Sequence, residues 1–268
     1  MELLVCIKQV PDTSEIKLDP ETNNLIRTGL PSIVNPYDMH ALEAALAVKD
    51  QYEDSRVTVV TMGPPQAEAA LRECLSLGAD DAVLITDRAF GGADTLATSY
   101  TIASAIRHIQ RTMNREFQII FCGKQAIDGD TAQVGPEIAE HLGLPQVTYA
   151  LEAEAEGNTF RVLKEGPDYN MMIGITMPCL ITFTKPGFDP RYPSIKRKMA
   201  ANRAVIPVLT AADLPDIDLT RAGLKGSPTK VKTIQNISFQ AKESKTLTGS
   251  DKDVEDLIVE LLANHTIG

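Results

Sequence analysis

Short apolar runs alternate with amphipathic segments along the first half of the chain. The apolar runs are rich in Val, Ile, Leu and Phe, and most of them stop at Pro or Gly, as buried strands do; they lie at 3–10, 57–62, 82–86 and 117–123. Each run after the first is followed by a segment with helical spacing of apolar positions, and Asn35-Pro36-Tyr37-Asp38 opens the helix before the second run. Four successive alternations predict an α/β fold, a largely parallel sheet with helices on both faces.

The pattern changes after residue 146, where further strands follow one another through short turns. They are predicted at 147–155, 159–163, 169–176 and 179–184, and a looser hairpin is predicted around residues 19–24. A basic segment at 191–199 predicts a short helix. We divide the chain into an α/β domain, 1–210, and an extended C-terminal arm, 211–268.

The arm ends in a predicted helix that starts near Ser250. Its apolar stripe consists of Val254, Leu257, Ile258, Leu261 and Leu262. Two interpretations of this helix stay open: it folds back on its own domain, or it docks on a partner chain.

The stretch 117–143 joins an apolar strand to a polar loop and a helix. The strand ends at Gly123 and the helix ends at Gly143. Asp130 suits the helix N-cap, with Gln133 three residues later, and the alternative start places Pro136 at the first helical position. A helix N-terminus that follows a strand favours an anion such as phosphate, although an ordinary strand-to-helix loop has the same pattern.

A second glycine-rich loop, Gly91-Gly92-Ala93-Asp94-Thr95, follows the strand at 82–86. Its two glycines permit close approach of a diphosphate to the backbone, and the bare alternative is a structural turn. Because a carboxylate repels phosphate, we expect Asp94 to cap the next helix or to accept a hydrogen bond from a ribose hydroxyl. Both loops lie at carboxyl ends of strands, so we expect them to converge on one crevice.

The amino-acid composition argues against several classes of function. Asp and Glu outnumber Lys and Arg by 36 to 26, which argues against nucleic-acid binding. Membrane insertion is not expected, since no apolar run reaches ~18 residues. The first residues of the sequence resemble a strand rather than a signal peptide. The four cysteines are scattered along the sequence, which suits a reducing compartment. We therefore expect a soluble cytoplasmic protein. The four histidines are isolated, so no metal site is predicted, and no catalytic residue is identified.

The loop Gly-Lys-Gln-Ala-Ile-Asp-Gly-Asp-Thr-Ala-Gln at 123–133 resembles the nucleotide loop of electron transfer flavoprotein beta (small) subunits. Val-Cys-Ile-Lys-Gln-Val-Pro near the start, Asn-Pro-Tyr-Asp at 35–38, Thr-Met-Gly-Pro at 61–64 and Pro-Arg-Tyr-Pro-Ser-Ile at 190–195 match the same family, so the resemblance covers nearly the whole chain. It implies an adenine nucleotide α-hydrolase-like fold and a heterodimer with a larger alpha subunit.

The resemblance also implies which residues hold the nucleotide: Cys6, Asn35, Pro36, Tyr37, Asp38, Met62, Cys122, Gly123, Lys124, Gln125, Ala126, Ile127, Asp128, Gly129, Asp130, Thr131, Ala132 and Gln133. In housekeeping members that nucleotide is a structural AMP. In electron-bifurcating members it is a second FAD, which NADH reduces.

The stretch 87–99 resembles the bifurcating branch, where it helps to hold NADH; the residues concerned are Gly91, Gly92, Asp94 and Thr95. We therefore expect a subunit whose FAD accepts a hydride from NADH. One electron then passes to ferredoxin or flavodoxin, and the other passes through the alpha-subunit FAD to a flavin dehydrogenase such as an acyl-CoA dehydrogenase-like enzyme. The activity belongs to the complex and not to this chain alone. The alternatives are a non-bifurcating beta subunit with AMP and a stand-alone adenine-nucleotide-binding protein.

The segment Lys-Pro-Gly-Phe-Asp-Pro-Arg at 185–191 lies between a predicted strand and the basic segment. Its prolines and glycine are expected to hold Phe188 outward, and the family resemblance implies partner recognition in this region. A rigid turn with a buried Phe188 is the alternative.

Overall fold

The structure is a computed structural model that describes residues 1–12, 31–229 and 251–263. The hairpin predicted around residues 19–24 lies outside the described residues. Contacts divide the chain into two compact units, Met1–Lys230 and Val231–Gly268.

The described part of the first unit contains strands β1 to β11 and helices α1 to α6. The strands are β1 Glu2–Cys6, β2 Gln9–Pro11, β3 Ser32–Val34, β4 Arg56–Met62, β5 Asp81–Ile85, β6 Ile119–Gly123, β7 Gln146–Glu156, β8 Thr159–Lys164, β9 Met171–Thr176, β10 Cys179–Phe183 and β11 Val208–Leu209. The helices are α1 Pro36–Gln51, α2 Glu68–Leu77, α3 Thr95–Met113, α4 Val134–Leu142, α5 Ile195–Arg203 and α6 Gly223–Gly226. Helix α7, Asp251–Ala263, belongs to the second unit, and its existence was predicted.

Nine strands form one sheet in the order β11-β5-β4-β1-β6-β10-β7-β8-β9. The first seven strands of this order are parallel, and β8 and β9 extend the sheet as an antiparallel meander. The predicted α/β class is therefore confirmed. From β1 the chain builds outward through β4 and β5, and it then returns to place β6 on the other side of β1. The carboxyl ends of β1 and β6 flank this switch point, where open α/β sheets bind ligands.

Helices cover both faces of the sheet, and successive strand residues point to opposite faces. Phe121 and Phe183 lie on the same face as the buried side of α1, and their rings stack with centroids 5.7 Å apart. Cys6 and Cys122 lie on the other face, in the core cluster that includes residues of α3 and α4. The sheet thus has a hydrophobic core on each side.

The part of the chain just after residue 210 lies within the first unit and packs on the α3 side of the sheet. Leu214 and Ala222 are buried in the core cluster of α3, and β11 pairs with β5 at the sheet edge. This packing could not be predicted from hydrophobic periodicity, because residues 211–229 form only short 3-10 helices and the four-residue α6, which are too short to show a period. The division at residue 210 stays a prediction, as does partner docking by α7.

The segment 185–191 differs from the expectation in one respect. Phe188 is partly buried and packs against the core on the α1 face, so the outward orientation predicted for it is wrong. The cause is an anchor three residues later: Arg191 donates hydrogen bonds of 2.8 to 3.0 Å to Glu43 and one of 2.8 Å to Asp50, which fixes the segment on α1. The side chains of Tyr192 and Ile195 are the ones that face outward, with exposed fractions of 95% and 83%.

None of the helices in the described ranges combines the length and the apolar character that crossing a bilayer requires.

Candidate nucleotide site

Three of the predicted site residues form an apolar cluster at the carboxyl ends of β1, β4 and β6, where the floor of the predicted crevice would lie. Cys6 and Cys122 are in-register partners across β1 and β6, and both are buried. Met62 ends β4 and packs, partly buried, against the same core cluster. The structure therefore brings these residues, which are far apart in the sequence, to one edge of the sheet.

Asn35 occupies the N-cap position of α1, as predicted, and Pro36 is the first helical residue. The Asn35 side chain does not cap the helix, however. Its amide nitrogen donates to the Gln125 carbonyl (2.8 Å), and its amide oxygen accepts from the Ile127 N–H (3.1 Å). A buried amide thus fixes the middle of the loop at 124–133 to the start of α1.

Asp38 lies one turn further along α1 and joins two strand ends. Its carboxylate accepts from the backbone N–H of Lys8 (2.7 Å) and from that of Gly123 (3.1 Å). Burial raises the pKa of Asp38 to about 7, against the effect of hydrogen bonds from Asn35, Lys8 and Gly123, which lower it. Since both oxygens accept bonds from the chain itself, Asp38 positions the two loops and does not face a ligand.

Gly123 is the residue that lets the second of these loops pass so close to α1. A Cβ at Gly123 would collide with the Asp38 carboxylate and would lie 2.8 Å from both the Asp38 nitrogen and the Tyr37 carbonyl carbon. Two of these three atoms belong to the backbone, which cannot rotate away. The close packing of strand end and helix start therefore requires glycine at this position.

The loop at 124–133 is held mainly by its own polar groups and by Lys8. The Lys8 ammonium pairs with Asp128 at 2.7 Å, and the Asp130 carboxylate accepts from the Gln125 amide at 2.7 Å. Asp130 and Ala132 both have left-handed backbone conformations, with φ of 53° and 54°. Such conformations in residues other than glycine persist only where the surroundings enforce them, and they concentrate at binding sites.

Both predicted starts of helix α4 are wrong. Its N-cap residue is Gln133, and Pro136 is the third helical residue, where a missing N–H costs no intrahelical bond. Asp130 does not cap the helix because its carboxylate bonds to Gln125 instead. No side chain caps α4, so its first turn presents backbone N–H groups and a positive dipole end to the crevice.

Helix α3 begins differently, because Asp94 caps it as predicted. One carboxylate oxygen accepts from the Ala97 N–H (3.1 Å), and the other accepts from the backbone N–H (3.0 Å) and hydroxyl (2.8 Å) of Thr229. Ser227 also accepts from the Asp94 backbone N–H at 2.8 Å. The carboxylate thus caps α3 and also holds the chain at Thr229, and the ribose contact expected as the alternative stays a prediction.

Residues that the sequence did not single out cover part of the Gly91–Gly92 turn. Leu224 donates its N–H to the Gly91 carbonyl at 3.1 Å, and its Cβ would lie 3.5 Å from a Cβ at Gly92. Gly92 itself has a positive φ of 70°. No local signal could have placed Leu224 here, since the contact joins positions more than 130 residues apart.

The two predicted loops meet through Thr95. Its hydroxyl lies 3.3 Å from the amide oxygen of Gln133 and 3.2 Å from a carboxylate oxygen of Glu137. Burial raises the pKa of Glu137, which was not predicted as a site residue. The starts of α3 and α4 are therefore adjacent, and the two loops meet at the carboxyl edge of the sheet, where the crevice was predicted.

Across the described ranges, His, Cys, Asp and Glu side chains form no group of three or more that could hold a metal ion.

Comparison with protein families identifies the class of protein to which this chain belongs. The family model for the electron transfer flavoprotein domain matches residues 22–214. The chain therefore belongs to the electron transfer flavoprotein family, as its resemblance predicted.

Individual relatives agree with this assignment. The chain is 53% identical to an electron transfer flavoprotein subunit beta from Clostridium acetobutylicum, with 87% of this chain and 86% of the relative covered. It is 48% identical to the subunit beta of Thermoanaerobacterium thermosaccharolyticum over the full length of both chains. It is also 44% identical, again over both full lengths, to CarD, a subunit of the caffeyl-CoA reductase-Etf complex of Acetobacterium woodii.

The Gly123 packing gives a direct test of the site. We expect Gly123→Ala to displace the loop at 124–133 from α1, because the added Cβ meets backbone atoms, and to abolish copurification of bound nucleotide. Gly174→Ala is the matched control, since a Cβ at Gly174 has no atom within 4 Å. Nucleotide released by denaturation and quantified by chromatography provides the measurement. Normal nucleotide content in the Gly123 variant would contradict the assignment of this crevice.

Proposed function

We propose that this chain is the beta subunit of an electron-bifurcating electron transfer flavoprotein and that its crevice holds FAD. The observation that carries the proposal is the pairing of an uncapped helix, α4, with an adjacent glycine turn at the start of α3. The uncapped N-terminus of α4 suits a phosphate group of FAD. The glycine turn at the start of α3 would allow the diphosphate of NADH to approach the backbone beside it.

The residues present fit an adenine nucleotide. The floor of Cys6, Met62 and Cys122 is apolar and lacks bulky rings, and Gly129 has open space where a Cβ would stand. Asn35 and Asp38 hold the loop in place, while the first turn of α4 would receive a phosphate. Bound FAD would supply hydride acceptance and one-electron transfer, which no side chain of the protein provides.

The partners follow from the same assignment. As a beta subunit, the chain forms a heterodimer with an alpha subunit that carries the other FAD, and the complex delivers electrons to ferredoxin or flavodoxin and to a flavin dehydrogenase. The similarity to CarD, a subunit of a reductase-Etf complex, supports such an assembly. The free thiols of Cys6, Cys74, Cys122 and Cys179 fit the reducing cytoplasm as the compartment.

The decisive experiment is the cofactor composition of the heterodimer purified with its alpha subunit. We expect two FAD molecules per heterodimer, and reduction of both by NADH. One FAD together with one AMP would replace the bifurcating assignment by the non-bifurcating one. If the chain expressed alone is a monomer that binds ATP and no flavin, the stand-alone adenine-nucleotide-binding alternative holds.

The NADH site is tested at Gly91 and not at Gly92, whose positive φ would strain any replacement; the φ of Gly91 is −65°, and a Cβ there lies 3.3 Å from the Arg88 carbonyl oxygen, so thermal unfolding of the variant is measured beside its kinetics. Gly91→Val places a branched side chain where a diphosphate would approach the backbone. We expect the apparent KM for NADH to rise at least ~10-fold, which corresponds to about 1.4 kcal/mol, with unchanged FAD content. The measurement is NADH-dependent flavin reduction, with Gly174→Val on strand β9 as the control. Unchanged KM in the Gly91 variant would make this loop a structural turn.

We propose that the redox partner docks on the surface around α5 rather than on Phe188. Tyr192 and Ile195 project there with high exposure, and Met199 and Lys196 lie on the same short helix or next to it. Exposed apolar side chains flanked by charge are typical of transient interfaces.

We expect Ile195→Ser to slow electron delivery to the dehydrogenase by about an order of magnitude, or ~1.4 kcal/mol, because an apolar anchor is lost. NADH oxidation with an artificial acceptor should be unaffected. Leu219→Ser is the matched control, since Leu219 is also exposed but lies in a different segment. Equal delivery rates for wild type and the Ile195 variant would exclude this surface.

A further inference from the structure

A cavity lined by arginines lies on the side of α3, away from the crevice. Its volume is about 810 Å³, and its basic lining residues are Arg107, Arg111, Arg115, Arg221 and His108. Helix α3 starts beside the crevice at Thr95 and has 19 residues, so it extends about 28 Å at about 1.5 Å per residue. The cavity follows its later turns, from Tyr100 to the loop after the helix.

The charge in this cavity is opposite to that of the chain as a whole. The chain carries a formal charge of −10, yet four arginines face only two carboxylates in the cavity wall, Glu116 and Asp216. Arg111 pairs with Asp216 at 2.6 Å, and Arg115 pairs outside the cavity with Asp81 at 3.3 Å and with Glu2 at 3.6 Å, so the excess charge is that of Arg107 and Arg221 over Glu116. The wall therefore holds excess positive charge.

The two remaining arginines form no salt bridge within the described part of the chain. Arg107 donates to the backbone carbonyl of His141. The Arg221 guanidinium lies 4.0 Å from the centroid of the Tyr100 ring, a cation–π geometry that fixes its orientation. Burial, and then the charges of Arg221 and Arg107, lower the pKa of His141, which agrees with a positive potential here.

The floor of the cavity is apolar and firmly packed. Leu214 is buried and Tyr100 nearly so, while Ile217 packs partly buried against the same core. The Tyr100 hydroxyl accepts from the Asp218 N–H at 2.9 Å, which attaches the wall at 214–221 to α3. The site thus combines a rigid apolar base with cationic groups above it.

We propose that this cavity binds an organic phosphate, meaning a small molecule with a phosphate group and an apolar body. Guanidinium groups match phosphate oxygens in bidentate geometry and need not be dehydrated as strongly as ammonium groups. The volume lies in the ~300–1,000 Å³ range of small-ligand pockets. The site is separate from the nucleotide crevice, so the proposal does not depend on which cofactor the crevice holds.

The test is calorimetric titration of the purified heterodimer, its crevice cofactor in place, with phenyl phosphate and with inorganic phosphate. The bound cofactor occupies the phosphate position at the start of α4, and saturating NADH added in a parallel titration excludes binding of the probes at the glycine turn. We expect saturable binding, with phenyl phosphate bound more tightly than inorganic phosphate because only it contacts the apolar floor.

Arg107→Gln and Arg221→Gln should each weaken phenyl phosphate binding at least ~10-fold. Arg161→Gln, an exposed arginine on β8, is the control and should bind as wild type does. Thermal unfolding of each variant verifies that the fold is intact. If Arg221→Gln destabilises the segment 214–221, the Arg107 variant alone tests the site. A wild-type dissociation constant weaker than about 10 mM, or equal weakening in the Arg161 variant, would overturn the proposal.

Discussion

The buried Asp38 carboxylate is the interaction on which the crevice depends. It accepts backbone N–H groups from the ends of β1 and β6, the two strands that flank the switch point of the sheet. A buried carboxylate is costly unless hydrogen bonds compensate it, so its position fixes both strand ends together. This junction also requires glycine at position 123, because any side chain there would separate the end of β6 from the start of α1. The loop at 124–133 acquires its position from this junction.

Two neighbouring helix N-termini at this edge have different roles because their caps differ. Asp94 satisfies the start of α3 with a side chain, whereas no side chain caps α4. A carboxylate at the first terminus also repels phosphate. An anion is therefore better accommodated at the start of α4. At the start of α3, a ligand could contact only the backbone of the two glycines. The Thr95 hydroxyl, within hydrogen-bond distance of Gln133, keeps the two starts adjacent.

The local patterns in the sequence predicted the parallel sheet, the start of α1 at Pro36 and the cap at Asp94, since each depends on residues close together in the chain. The errors share one cause, which is competition from a partner that the pattern does not reveal. Asp130 was expected to cap α4, but Gln125 takes its carboxylate. Phe188 was expected to point outward, but Arg191 attaches its segment to α1 through Glu43. Neither partner is visible to periodicity, since Gln125 lies five residues from Asp130 within the same irregular loop and Glu43 lies 148 residues from Arg191.

The segment after β11, residues 210–229, contacts both the arginine cavity and the glycine turn at the start of α3. Residues 214–221 form the wall of the arginine cavity, and Thr229 and Ser227 bind Asp94 at the other end of α3. One stretch of chain therefore lies along α3 from the cavity to the glycine turn. Because Leu224 bonds to the Gly91 carbonyl, a displacement of this stretch would change the backbone of the turn itself. The shape of the crevice on the α3 side is thus determined by residues that follow the sheet in the sequence.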